Sequence, residues 1–527
     1  MKTSKNSYLL LTTLFITLFT ANAQLKTKQP NILFCIADDA FWQHMSAYGK
    51  TKWVNTPGFD QVAEKGLLFT HAYTPNAKCA PSRASILTGR NPWQLEEAGN
   101  HNPYYPAKFT TFIEALEKHG YQVGYTGKGW APGVAGQING KPRALTGKAY
   151  NEIKMATPTK NISPVNYPAN LEAFIKDKPK DKPFMFWFGS HEPHRAYEYG
   201  SGVAKGDKKL SDIDLVPDFW IDNDTVRNDM LDYAFELEYF DKQLQEMLHI
   251  LEKNGELENT IIVVTSDNGM PFPRIKGHVY EYDNHLPLAI MWQNHIPNPG
   301  RTITDYVSFI DFAPTFLEAT GLSQNNSNMQ VIQGKSFMNI LKSTLDGQID
   351  PQRDHVLLGR EREDVGRPDD QGYPVRAIVK GNFIYQKNYE PDRWPSGNPE
   401  TGYMDTDGSP TKTTLLNANR NGQYQDLWQL SFGKKPAEEI YQTDIDPFSM
   451  NNLANDPSYS EIKKNLEVQM EQELKAQNDP RMHGQGNRFD KYPYSQTGVA
   501  NFYERFMNGE KMNAGWIEKS DFEKLKK

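Results

Sequence analysis

The stretch Asn31-Ile-Leu-Phe-Cys-Ile-Ala-Asp-Asp39 is a short apolar run closed by two adjacent carboxylates. It has no in–out alternation. Both faces of the strand it predicts are therefore buried, as in a parallel sheet covered by helices. Outward from it, Thr110–His119 carries apolar residues at helical spacing and stops at Gly120, and Tyr121–Thr126 follows as a strand. Phe184–Gly189 and Ile261–Thr265 are further strands, and Pro287–Trp292 resembles them. Asn228–Lys253 is a long amphipathic helix, and Asp311–Thr320 is a helix ending at Gly321. This alternation, from about residue 30 to 320, predicts an α/β domain with a large, mostly parallel central sheet.

After about residue 355 the texture changes. Pro, Gly, Asp and Asn rise between short strand-like pieces such as Val375–Val379 and Asn382–Gln386. A smaller α+β subdomain is the simplest reading. The chain then divides into a leader over 1–23, a catalytic domain over 24–355, a C-terminal subdomain over 356–480 and a tail over 481–527. The tail, rich in Gly, Asn, Tyr and Lys, is expected to wrap the surface or fray.

The leader has the form of a signal peptide. Lys2 and Lys5 precede an apolar stretch from Tyr8 to Thr20, and Ala21-Asn22-Ala23 supplies a small-residue cleavage site. The stretch is short for a membrane span, and no later segment is long and apolar enough for one. The expectation is an exported protein, periplasmic or secreted, that is not integral to a membrane. With Lys+Arg 58 against Asp+Glu 65 the net charge is -7, which argues against nucleic acid as a partner. A local cluster of cations can still oppose that sign and hold a small anion. Only two cysteines are present, so at most one disulfide can form. Cys35 sits in the apolar run and reads as core. Cys79 sits in a polar, Pro-containing segment and needs another explanation.

In open parallel sheets, ligands bind outside the carboxyl ends of the strands. The first predicted strand ends in Asp38-Asp39, and the second in Gly127-Lys128-Gly129. The third ends in Ser190-His191-Glu192-Pro193-His194, and the fourth in Ser266-Asp267-Asn268-Gly269. One polar ending means little; four directed at one edge point to a site. Asp38, Asp39, Asp267 and Asn268 offer only oxygen ligands, which suits calcium or magnesium better than zinc or copper.

Beside these stands Cys79-Ala-Pro-Ser-Arg83, running on to Thr88-Gly89. The combination resembles the signature of the type I sulfatases, and the resemblance covers roughly residues 30 to 450. It implies an alkaline-phosphatase-like sandwich. It also implies that a maturation enzyme oxidises Cys79 to formylglycine (3-oxoalanine), and that one Ca2+ is held by Asp38, Asp39, Asp267 and Asn268 together with residue 79. Lys128 and Lys276 resemble the lysines that grip sulfate oxygens, and His191 the histidine that protonates the leaving oxygen. Arg83, expected in the first turn of a helix after Cys79, adds cationic charge, and that helix's amide end favours an anion. A hydrated aldehyde offers two hydroxyls on one carbon, one to attack sulfur and one to drive elimination of the resulting ester. In one respect the chain departs from the family: Trp130 stands where many members have a His two residues after the first lysine.

The segments Gly269–Lys276 and His191–Arg195 resemble the sulfamidase-like branch, which includes heparan N-sulfatases and bacterial enzymes acting on algal polysaccharides such as ulvan. The expected substrate is a sulfated carbohydrate, with ulvan favoured over heparin-type N-sulfate. His194, Arg376, Arg393 and Trp394 are candidate substrate contacts. A phosphatase or phosphodiesterase on the same scaffold is the rival reading, disfavoured by the Cys79 motif and the His-poor ligand set.

Overall fold

The computed structural model describes residues 28–524; the leader expected over 1–23 lies outside them. Eight strands form the main sheet. They are β1 (Asn31–Ala37), β2 (Leu67–Phe69), β3 (Gln122–Gly127), β4 (Lys148–Ala149), β5 (Phe184–Gly189), β6 (Thr260–Ser266), β7 (Leu288–Met291) and β8 (Arg301–Ile303). Their order across the sheet is β8-β2-β7-β6-β1-β5-β3-β4. β1 runs parallel to both β5 and β6, and β5 runs parallel to β3. β7 is antiparallel to its neighbours. The sheet is thus mostly parallel, and the opening strand lies near its middle.

The side chains of β1 divide cleanly between two cores. Leu33 and Cys35 join one, with Phe186, Phe188 and Val264; Ile32 and Phe34 join the other, with Trp187 and Val263. Helices cover both faces: α1 (Pro57–Glu64), α2 (Cys79–Thr88), α3 (Phe112–Lys118), α4 (Tyr167–Asp177), α5 (Asp224–Lys253) and α6 (Phe312–Ala319). α1, α4 and α5 pack on the Cys35 face, and α2, α3 and α6 on the other. Each fully buried aliphatic or aromatic side chain contributes about 1.5–3 kcal/mol, so a central strand buried on both faces anchors both cores at once.

The smaller region carries an antiparallel sheet of β9 (His355–Arg360), β10 (Val375–Lys380), β11 (Phe383–Asn388) and β12 (Glu438–Gln442), with α7 (Ser460–Ala476) against it. One face, through Leu357, Ile378 and Tyr385, meets Leu466 and Met470 of α7. The other, through Val356, Ala377 and Val379, meets Tyr73, Val279 and Tyr306 of the larger region. The small sheet is therefore wedged against the catalytic domain. Through residue 524 the tail packs on the fold. Tyr494, Phe502 and Ala514 are buried, and the Tyr494 hydroxyl donates to Asp364 at 2.9 Å. Among the described residues no helix is long and apolar enough to cross a membrane.

Candidate active site

The carboxyl ends of β1, β3, β5 and β6 converge on one cavity of about 570 Å3. Close backbone approach builds part of it. Gly127 at the end of β3 has φ +75, and a Cβ there would lie 2.0 Å from the Gly189 carbonyl oxygen; a Cβ on Gly189 would lie 1.8 Å from that of Lys128. Only glycine fits either place. Their pairing lets Lys128 and His191 leave adjacent strands into the same space. Asp39 is itself held at φ 77, a conformation that costs energy for a non-glycine residue and that clusters at functional sites.

Asp38, Asp39, Asp267 and Cys79 bring their ligand atoms within 4.8 Å of one another, all buried. Cys79 opens α2, and its Sγ lies 3.5 Å from Asp38 Oδ1. Asn268 Nδ2 donates to Asp39 Oδ1 at 2.5 Å, while its Oδ1 is buried without a partner. Three carboxylates in contact repel one another. Burial, then the charge of Asp38, pushes the Asp267 carboxyl up to about 6. A hard cation would relieve that repulsion and take the orphaned Asn268 oxygen, so the donor set fits an oxygen-ligated divalent ion.

Two lysines sit on this cluster. Lys128 Nζ lies 2.9 and 2.7 Å from the two Asp38 oxygens. Lys276 Nζ bridges Asp39 at 2.7 Å and Asp407 at 2.9 Å. Burial alone would raise the Asp38 carboxyl, but Lys128, with His194, Arg83 and Lys276, holds it well below the usual range. Burial pushes the Cys79 thiol up, with Asp38 and Asp267 adding to it against Lys128. A thiol held protonated is a poor nucleophile. His191 opens onto the cavity. Although it is exposed there, desolvation by the surrounding protein, then Lys128 and Arg83, push its imidazole down to about 4, against Asp38. His194 lies with Nε2 3.8 Å from Asp39 Oδ2 and its Nδ1 against the Arg195 carbonyl.

Other expected site residues are placed differently. Arg83 is one helical turn beyond Cys79, not in the first turn, and it does not line the cavity. Its Nε donates to Asp267 at 2.8 Å and its Nη1 to the carbonyls of Lys128 and Gly129. It holds the carboxylate and the lysine loop in place. Arg376, Arg393 and Trp394 do not reach the cavity either, which corrects their expected contact with substrate. Arg376 is fully buried between Asp479 and Glu361. Arg393 is bound to Asp490 and the Gly372 carbonyl, and Trp394 packs on Trp428. Arg360 and Arg362 turn inward too, to Asp405 and to the Tyr492 carbonyl. Trp130 points away, donating to the Ala80 carbonyl and packing on Tyr105, so Ala131 and Pro132 form the wall there.

More of the wall comes from residues that the sequence did not single out: Lys78, Asp364, Asp407, His101 and Trp516. Lys78 Nζ pairs with Asp364 at 2.9 Å, and Asp364 also bonds His101 at 3.0 Å. Of these only Lys78, next to Cys79, carried a positional signal. The rest lie in loops and in the tail, with no periodicity to mark them.

Comparison with known proteins agrees with this geometry. The family model described as Sulfatase matches residues 30–322. An ulvan-active sulfatase of Formosa agariphila is 26% identical over 465 residues, 86% of this chain and 81% of that protein. The human N-sulphoglucosamine sulphohydrolase is 25% identical over 477 residues, 84% of this chain and 90% of that protein. A chain solved in complex with its substrate D-glucosamine-2-N,6-O-disulfate superposes with a TM-score of 0.61 at 20% identity, covering 86% of this chain and 99% of that one.

Proposed function

The chain belongs to the sulfatase family and is a sulfuric ester hydrolase. From that premise we propose that it is an exported enzyme that removes sulfate from a sulfated polysaccharide or its oligosaccharides, with ulvan the leading candidate. The observation that carries the reading is the buried ring of Asp38, Asp39, Asp267 and Cys79 with Lys128 and Lys276 set on it in one cavity. The similarity to ulvan-active sulfatases supports the choice of ulvan. The leader over 1–23 supports export.

In this reading Asp38, Asp39, Asp267, Asn268 and residue 79 hold one Ca2+, whose charge would polarise the sulfate oxygens. Formylglycine, made from Cys79 by a maturation enzyme, would supply in its hydrated form the geminal hydroxyls that a thiol lacks. The chain's own residues do the rest. Lys128 and Lys276 already lie at the carboxylates and can turn their ammonium groups to an entering sulfate, opposing its charge where water is excluded. The Lys78 side chain gives no N-cap to α2, so that helix's amide end remains for the anion. Arg83 keeps Asp267 and the Lys128 loop in register. His191 is neutral in the empty cavity; the negative charge of a bound ester raises its proton affinity, which is what a donor to the leaving oxygen requires.

Sulfate release from oligomers of ulvan, heparin and carrageenan tests the substrate, with release from ulvan expected. Mass spectrometry of the Cys79 peptide tests the nucleophile: an aldehyde mass is expected, and a free thiol in fully active protein would overturn it. Release from heparin N-sulfate instead of ulvan would favour a sulfamidase, the second reading that the human relative supports.

A further inference from the structure

The wall that α5 contributes to the cavity holds a carboxyl with no task in the reaction above. Glu236 lines the cavity and is 1% exposed, and its Oε1 has no hydrogen-bond partner among the described residues. The other carboxylates lining the cavity are engaged. Lys128 holds Asp38, Lys78 holds Asp364, and Lys276 holds Asp407. Glu192 accepts from the Ser163 amide and from the hydroxyls of Tyr167 and Ser190.

An ionised carboxylate without a donor is costly in such a place. The neighbours make it costlier, since Glu192 and Asp232 both act against its charge. Arg195 opposes them, but its guanidinium is already spent on Asp229, at 2.7 and 2.9 Å, and on the Pro271 carbonyl. Burial, then Glu192, pushes the Glu236 carboxyl well above the usual range. Its Oε1 is thus a buried acceptor that nothing among the described residues satisfies.

We infer that Glu236 is a specificity-determining residue that binds a hydroxyl of the sugar ring, accepting from its O–H. The inference rests on the reading of the substrate as a sulfated sugar. A cavity of about 570 Å3 is in the range that takes a whole small ligand and not an ion alone. The sulfate end is taken by Lys128 and Lys276, so the sugar must lie along the remaining walls. Of the carboxylates there, Glu236 alone has an oxygen without a partner, and a sugar hydroxyl can donate to it. A site built to bond a hydroxyl rejects a partner that lacks one, since its own polar group is then left buried and unpaired.

The test follows sulfate release from ulvan oligosaccharides and from glucosamine N-sulfate by the wild type, Glu236→Gln and Glu236→Leu, with melting curves for each. Gln keeps a donor and an acceptor, so its KM stays within about threefold of wild type. Leu keeps the volume but neither group, and raises KM about tenfold or more at nearly constant kcat. A wild-type KM in the Leu variant, a loss confined to kcat, or a Gln variant as impaired as Leu overturns the inference and leaves the sulfatase reading standing. A wild type that releases sulfate from neither compound brings down the substrate reading, and this inference with it. Should the Leu variant not fold, a crystal structure of Cys79→Ala with the compound that the wild type accepts decides: Glu236 out of hydrogen-bond reach of every sugar hydroxyl overturns it.

Discussion

Two regions of this molecule bury charge densely, and they do so in opposite ways. Around the small sheet the charges close on one another. Arg376 lies between Asp479 and Glu361, Arg481 adds a second guanidinium to Glu361, and Arg360 and Arg367 share Asp405. Exceptions such as Arg360 Nε, Arg362 Nε and both Glu363 oxygens are buried without a hydrogen-bond partner but line no part of the cavity. At the carboxyl ends of β1 and β6 the charges are left in conflict: three carboxylates face one another, an asparagine oxygen has no partner, and two lysines stand over open space. Buried charge satisfied within the fold specifies structure. Buried charge left in conflict beside a cavity is waiting for a cation and an anion.

The sharpest way to break this contrast is Cys79→Ala. Sulfate release should fall by roughly 10⁴-fold or more with the fold kept, because residue 79 touches the conflicting cluster and supports no closed one. Retained turnover would mean that the cluster is not the reacting centre. Next, Arg376→Met should do the reverse. Removing one partner of the closed network strands Asp479, while Glu361 keeps Arg481, so urea unfolding should show a loss of about 3–5 kcal/mol. The kcat/KM of the folded enzyme should stay within about twofold of wild type. A selective loss of activity would return Arg376 to the substrate site.

Chelation gives a smaller stability effect. Stripping divalent ions should abolish activity and lower the melting temperature, and calcium should restore both. An ion that binds only the folded state stabilises it by about 2.7 kcal/mol at a hundredfold excess over Kd. A melting temperature indifferent to calcium would mean that the carboxylate repulsion is relieved in some other way.

The smallest effect concerns a carboxyl in neither region. Asp241 on α5 accepts from the Gly58 and Phe59 amides at 2.8 and 2.7 Å, and burial pushes it up to about 7 from an ordinary 3.8. Its folded value lies above the unfolded one, so its contribution is complete below about 3.8 and is lost as pH rises through about 7. Asp241→Asn should flatten the stability profile across that window, as read by urea midpoints. An unchanged slope would assign the pH dependence to the site carboxylates instead.

Much of this was legible without coordinates, and the reasons are local. A strand buried on both faces must be continuously apolar, so β1, β5 and β6 announce themselves within a residue or so of their bounds. Parallel strands put their polar exits at one edge, so Asp38, Lys128, His191 and Asp267 could be gathered by strand direction alone. The Cys79 motif marked the position proposed to react because its residues are contiguous. Arg83 was harder: its type and place fitted an anion contact, yet Nε and Nη1 donate to Asp267 and to two backbone carbonyls, and only Nη2, 3.5 Å from Asp38, is left without a hydrogen bond.

Which cations are free, however, depends on partners far away in the chain. Asp479 lies 103 residues from Arg376 and Asp490 lies 97 from Arg393, and no local pattern announces either pairing. The same holds for the cavity's second wall, where Asp364, Asp407 and Trp516 arrive from loops and the tail, and for Glu236, one polar residue on a long helix until its neighbours are known. Strand burial and contiguous motifs are short-range properties, encoded where they are read. Whether a charge is spent or available is set by long-range packing, which brings its partner to it or withholds one.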